Sequence, residues 1–189
     1  MTLEPRLDPD EIEFLNKFLL EKPDGTKMVE WGSGGSTLMF LPHFETGSFT
    51  SIEHNRDWFD KVTEAVRLAP LSAKALGNFT YCYRPSMVDI RFHGYGVPFE
   101  ENPCFSKGYI NPEDWHEGLH IWDSDIYFVD GICRGAILAT ILLKASNKNA
   151  TVFIHDYYGN EQREPWYNWA SSMYSSVSKV GSTLARLTI

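Results

Sequence analysis

The chain has 189 residues and a formal net charge of -8, with 43% hydrophobic and 22% charged residues. That length fits a single domain, residues 1–189, with a core that needs neither disulfides nor a structural metal, and the balance is globular rather than disordered. Net acidity without any block of Lys or Arg repels a phosphate backbone, so nucleic acid is not an expected partner.

Residues Asp8 to Glu21 read as a first helix, with Asp8 as N-cap, Pro9 in the first turn, and Ile12, Phe14, Leu15, Phe18 and Leu19 at helical spacing. After the turn Pro23-Asp24-Gly25, Lys27 to Trp31 is a short strand that enters Gly32-Ser33-Gly34-Gly35-Ser36. A helix from Ser36 to about Leu41 follows, ended by Pro42. Ser48 to Glu53 reads as a second strand and Asn55 to Leu68 as a helix with Trp58, Phe59, Val62 and Val66 on one face. Asn78 to Tyr83 reads as a third strand.

The stretch from Ser86 to Leu119 is rich in Gly, Pro and aromatics without a period, and is expected to be a long loop or insertion. Asp125 to Asp130 is a fourth strand, Arg134 to Ser146 a helix, and Thr151 to Ile154 a fifth strand ending at His155-Asp156. Glu164 to Met173 is a short helix, and Ser175 to Val180 with Thr183 to Ile189 form a final hairpin.

The longest apolar run, Ala136 to Leu143, is too short to span a bilayer, and polar Met1 to Asp10 does not read as a signal peptide. Cys82, Cys104 and Cys133 show no CxxC spacing and read as reduced thiols, so the expected location is cytoplasmic, with no membrane partner.

Strands alternating with helices imply an α/β fold with a mostly parallel sheet covered on both faces. Ligands of such sheets sit beyond the carboxyl ends of the strands. The polar residues gather at those ends: Trp31 to Ser36, Glu53 to Asn55, Arg84 to Ser86, Asp130 to Arg134 and His155 to Tyr158.

Two motifs carry cofactor chemistry. The glycines of Glu30-Trp31-Gly32-Ser33-Gly34-Gly35-Ser36-Thr37 let a backbone turn sharply and approach a ligand, and the spacing is neither a P-loop nor GxGxxG. Alone, such a loop is equally a plain strand-to-helix turn. Glu53, 23 residues after Glu30, ends the second strand where a carboxylate accepts both hydroxyls of an adenosine ribose. A carboxylate at Glu30 would repel a pyrophosphate and attract a sulfonium and an amino group, which favours S-adenosylmethionine over NAD.

This pattern resembles the class I S-adenosylmethionine-dependent methyltransferases, and within them a small-protein branch with an E-x-G-S-G-x-S-T loop and an S-x-E-H second strand. Ser51-Ile52-Glu53-His54, Phe128-Val129-Asp130-Gly131 with Arg134, and His155-Asp156-Tyr157 continue the likeness from about Val29 to the C-terminus. The resemblance implies a Rossmann-like, doubly wound sheet of about seven strands, mostly parallel with a C-terminal antiparallel hairpin. It also implies Glu30, Gly32 and Gly34 around the methionine part of the cofactor, with Ser33, Ser36 and Asp130 also at the cofactor, and Glu53 on the ribose. Adenine falls near His54 and the Arg84 to Ser86 turn, although the acidic pair that many relatives carry after the third strand is missing.

Asp130, His155 and Asp156 are the candidate catalytic residues. Metal-dependent O-methyltransferases place carboxylates at these two strand ends, where Mg²⁺ lowers the pKa of a substrate hydroxyl. The third Asp or Asn of such sites is absent here, so no metal is assigned and Mg²⁺ is not favoured. Asp130 can instead cap the next helix and pair with Arg134, and His155 is either a general base or simply hydrogen-bonded. Arg134, Tyr157 and Tyr158 are the candidate acceptor-binding residues, Arg134 against an anionic group unless its charge is spent on Asp130. Trp115, Trp122, Trp166, Tyr167 and Trp169 read mainly as packing, and His116, Glu117 and His120 lack a zinc order.

The expected activity is methyl transfer to a small-molecule acceptor. A cofactor-binding regulatory module is the alternative from another class, and an NAD-dependent enzyme is a third reading. Oligomeric state is not legible in the sequence.

Overall fold

Side chains alternate across a strand, so each strand of a covered sheet feeds two separate cores. The computed structural model, which describes residues 3–85, 107–115, 119–159 and 164–189, shows this sorting directly. Val29, Trp31, Tyr127, Val129, Val152 and Ile154 point to one face, and Met28, Ile126, Phe128 and Phe153 to the other.

The elements in chain order are α1 (Pro9–Leu20), β1 (Lys27–Trp31), α2 (Gly35–Phe40), β2 (Ser48–Glu53), α3 (Arg56–Leu68), α4 (Ala73–Gly77) and β3 (Phe79–Tyr83). Then come α5 (Lys107–Ile110), β4 (Ile126–Val129), α6 (Arg134–Lys144), β5 (Thr151–Ile154), α7 (Glu164–Ser171), β6 (Ser176–Val180) and β7 (Leu184–Thr188). The seven strands run in the order β3-β2-β1-β4-β5-β7-β6. β1 to β5 pair in parallel, while β7 is antiparallel to both β5 and β6. The reversal of strand order at β1 and β4 makes a crevice at their carboxyl ends, the place where ligands of such sheets bind.

α1, α2 and α3 cover one face through Leu15, Phe18, Phe40, Val62 and Val66. α6 covers the other through Ile137, Leu138 and Ile141, joined by Tyr109 of α5 and Ala170 of α7. The doubly wound sheet with its terminal hairpin thus agrees with the sequence expectation. α1 is tied to that hairpin by the buried Glu11 carboxylate, which accepts the amides of Thr183 (2.7 Å) and Leu184 (2.8 Å).

Three differences have local causes. α4 is an unexpected helix, a single turn started by the Ser72 hydroxyl, which accepts the Ala75 amide. The helix after the glycine loop starts at Gly35 and passes at Leu41 into a 3-10 turn, where Pro42 stops it. Within the segment expected to be a loop, residues 107–115 form α5 and a 3-10 turn, Pro112–Trp115. The rest of that segment, including Ser86, His116 and Glu117, lies outside the described residues. No helix among the described residues is long and apolar enough to cross a membrane.

Candidate cofactor site

β1, β2 and β4 end together because the turns beyond them are laced by backbone hydrogen bonds. Gly32 N donates to Ile52 O (2.9 Å), and the amides of Asp130 and Gly131 both donate to Trp31 O (2.8 and 2.9 Å). Gly32 sits at φ +88°, and a Cβ there would collide with the Gly131 backbone, so glycine is required twice over. A cavity of about 370 Å³ opens above these ends, lined by Gly32, Ser33, Glu53, His54, Asp130 and Gly131, with Asn55, Asp57, Trp58 and Lys61 at the start of α3.

Glu53 is the most heavily engaged of these groups. One carboxylate oxygen accepts the Ser33 amide (3.0 Å) and hydroxyl (2.9 Å). The other accepts the amides of His54 and Asn55, both at 2.8 Å, and lies 3.0 Å from His54 Nδ1. Burial alone would raise its pKa, but the donors from His54, Asn55 and Ser33 outweigh that and hold it below the usual carboxylate value. Glu53 is therefore an ionised acceptor at neutral pH on the cavity wall. The Ser33 hydroxyl also touches the Tyr81 hydroxyl at 2.5 Å, and Trp58 Nε1 donates to Ser33 O, which pins the loop to α3.

Glu30 sits differently. Its carboxylate is fully buried beneath the loop and takes the hydroxyls of Ser36 (2.6 Å), Thr37 (2.6 Å) and Ser51 (2.5 Å). Burial pushes its pKa up to about 7 against the pull of those hydroxyls. The sequence reading set Glu30 beside the cofactor as a fixed charge; in the structure it is a clamp inside the loop and not part of the cavity wall. Ser36 belongs to the same clamp, and the Gly34 amide is directed to Thr37 Oγ1 (2.9 Å).

At the β4 and β5 ends, Asp130, Arg134, His155 and Asp156 form one knot. Arg134 is buried and donates to the carbonyls of Gly131, Asp130 and His155. It also pairs with Asp130 (3.2 Å) and Asp156 (3.1 Å). Its charge is thus spent inside the chain, not turned toward an acceptor. His155 Nδ1 meets Asp130 Oδ1 at 2.7 Å, and its Nε2 is 3.8 Å from Asp156. Burial would lower the imidazole pKa, but the hydrogen bond and charge of Asp130, with Asp156, win and raise it.

Asp130, His155 and Asp156 have the donor types of a metal site, their ligand atoms lying within 4.8 Å of one another. Arg134 pairs with both carboxylates, but its single positive charge offsets only one of the two. Two non-glycine residues have positive φ, Asp156 (52°) within the knot and Cys133 (57°) next to Arg134. Strain of this kind gathers at functional sites.

Tyr157 and Tyr158 are not on the cavity wall. Tyr157 is buried, its hydroxyl bonded to Asn168 (2.9 Å) and Ser171 (2.7 Å) of α7, and Tyr158 packs under Lys179. Gly32, Ser33, Glu53, His54 and Asp130 do converge, as the motifs implied. Asn55 and Gly131 fell within the strand-end stretches read from the sequence, whereas Asp57, Trp58 and Lys61 of α3 were not expected at the site. The Asn55 cap and Trp58 three positions on were the available signal, since that cap turns the first residues of α3 toward the loop.

The fold has known counterparts. The chain superposes on a methyltransferase-like protein from Silicibacter pomeroyi DSS-3 with a TM-score of 0.72 at 20% identity, over 99% of this chain and 88% of that one. The fold is the class I methyltransferase fold. A precorrin-6y C5,15-methyltransferase from Geobacter metallireducens GS-15 matches at 0.60 and 11% identity, over 98% and 91%. A tRNA (m1A58) methyltransferase from Aquifex aeolicus matches at 0.56 and 12% identity, over 97% and 70%. No family model and no curated protein sequence matches the chain.

Proposed function

We propose that this chain binds S-adenosylmethionine across the ends of β1, β2 and β4 and transfers its methyl group to a small-molecule acceptor. The observation that carries this reading is the ionised Glu53 carboxylate on the wall of a cavity floored by two glycine turns. The methyltransferase names of the structural counterparts support it, as does the net charge of -8, which disfavours a polyanionic acceptor.

Glu53 would take one ribose hydroxyl. Its acceptor sites are already filled by the chain, and only the Ser33 hydroxyl among its donors can rotate away. A ligand hydroxyl would take that place while Ser33 turns to Tyr81. His54 borders the space expected for adenine.

The cofactor supplies a methyl group on a sulfonium, which an acceptor lone pair takes as the carbon–sulfur bond breaks. Asp130 faces the cavity, with His155 and Arg134 behind it. Arg134 holds the Asp130 backbone and carboxylate in place, and the Asp130–His155 pair receives the proton that an O–H or N–H acceptor loses. Alignment and exclusion of water do most of the remaining work.

The test is formation of S-adenosylhomocysteine with a panel of hydroxyl, amine and thiol acceptors, for the native chain and Asp130→Asn. Turnover that drops about 100-fold in Asp130→Asn supports the assignment. Cofactor binding without turnover on any acceptor would instead favour a binding module, and turnover only on RNA would replace the acceptor class.

A further inference from the structure

The third glycine of the loop is not explained by its own backbone. Gly35 opens α2 and has no positive φ. A Cβ there would instead lie 2.1 Å from the Glu4 carbonyl carbon and 2.2 Å from Pro5 N. The Glu4–Pro5 peptide therefore rests directly on the first residue of α2, beside the turn that carries Ser33 and Gly34.

Residues 3–7 cross this face without forming helix or strand. Pro5 fixes its own φ and keeps Glu4 out of the helical region, so docking costs this segment little freedom. Leu3 and Leu7 are partly buried against the core, Leu3 in a groove with Lys61, Ala65 and Leu68 of α3. Between them, the Arg6 guanidinium lies 6.0 Å from the centre of the Trp58 ring, and Lys61 Nζ lies 5.6 Å from it.

Trp58 and Lys61 both line the cofactor cavity, whereas none of residues 3–7 does. The Trp58 ring faces Gly34, and its Nε1 holds the Ser33 carbonyl at 2.5 Å. Ser33 in turn gives Glu53 both its amide and its hydroxyl. The segment thus meets the loop directly at Gly35, and through Arg6 and Trp58 at Ser33.

We propose that residues 3–7 are a strap that holds the glycine loop in its ligand-binding shape, with Trp58 as the positioning residue, so that strap docking and cofactor binding favour each other. This inference rests on S-adenosylmethionine being the ligand. A loop that shifts as the strap lifts takes two donors away from the ribose acceptor. Such coupling is reciprocal: the factor that the docked strap adds to cofactor affinity is the factor that bound cofactor adds to strap docking.

The experiment is calorimetric titration of the native chain, Leu3→Ser and Gly35→Ala with S-adenosylmethionine. Trypsin cleavage after Arg6, with and without saturating cofactor, is followed alongside by mass spectrometry. Leu3 lies outside the cavity, so Leu3→Ser loosens the strap without altering the loop itself. Leu3→Ser should weaken S-adenosylmethionine about fivefold and Gly35→Ala about tenfold. In the native chain, cofactor should slow the cut after Arg6 about fivefold more than it slows cuts elsewhere. Unchanged affinity in Leu3→Ser, or a cut after Arg6 slowed no more than the others, would overturn the strap and leave the cofactor reading intact. A native chain that binds no S-adenosylmethionine would overturn the cofactor reading and the inference with it.

Discussion

Two carboxylates stand on neighbouring strands, on the same face of the sheet, with their pKa values pushed in opposite directions. Glu30 of β1 lies opposite Ser51 of β2, and Glu53 follows two residues later on β2. Both are almost fully buried. Glu53 is surrounded by backbone amides at the start of α3 and in the glycine loop, whose N–H groups are fixed donors and favour the anion. Glu30 has only hydroxyls, which can turn to accept from a protonated carboxyl as readily as they donate to an ionised one. Burial therefore prevails at Glu30 and hydrogen bonding at Glu53. Amides make a binding carboxylate, and hydroxyls make a structural one.

The largest effect should come from removing the amide-held anion. Glu53→Ala leaves the amides of Ser33, His54 and Asn55 without their acceptor and should cost about 4 kcal/mol, read by urea unfolding at pH 7.

The pH response of Glu30 comes next. Its pKa is about 7 when folded against 4.5 for the free group, so over that interval the folded chain keeps a proton that the unfolded chain has lost. Stability therefore falls as pH climbs from 4.5 to 7, by about 3 kcal/mol from this group. Glu30→Gln should lack this component when unfolding is compared at pH 5 and pH 8. Subtracting the two proteins cancels His155, whose raised pKa also makes stability fall with rising pH. Glu53 has the opposite sign: its contribution is complete above the unfolded pKa and fades as pH drops through the lowered folded value. A Glu30→Gln chain whose pH profile matches the native one would break the comparison.

The smallest effect is expected at Ser33. Ser33→Ala removes one movable donor but leaves the amides, so stability should fall by only about 1 kcal/mol. Cofactor affinity should be kept or slightly improved, because a ligand hydroxyl no longer competes for Glu53. A loss of affinity as large as that of a Glu53 substitution would show that Ser33 itself holds the ligand.

The difference between the two carboxylates also marks where sequence reading stopped. β1, β2 and β5 were legible to the residue, because turn residues or charged ends bracket each apolar or alternating run. The clustering of Gly32, Ser33, Glu53, His54 and Asp130 followed from the rule that ligands sit at strand ends. Glu30 was legible as a motif position but not in its direction. Its fate depends on register opposite Ser51 and on α2 turning Ser36 and Thr37 downward, which are tertiary facts. Arg134 likewise reads either as a partner of Asp130 or as an acceptor-binding cation, and its contacts with His155 and Asp156 appear only when β5 is placed beside β4. α5 lay hidden in a Gly- and Pro-rich segment, because one helical turn is too short to show a period.

The most direct test of the account is calorimetric titration of the native chain and Glu53→Gln with S-adenosylmethionine. Glu53→Gln keeps the size of the side chain and replaces the anionic acceptor with an amide. The account predicts micromolar binding by the native chain and at least about 100-fold weaker binding by Glu53→Gln, a loss of about 3 kcal/mol. Equal affinity in the two proteins would contradict it and move the ligand away from the β2 end.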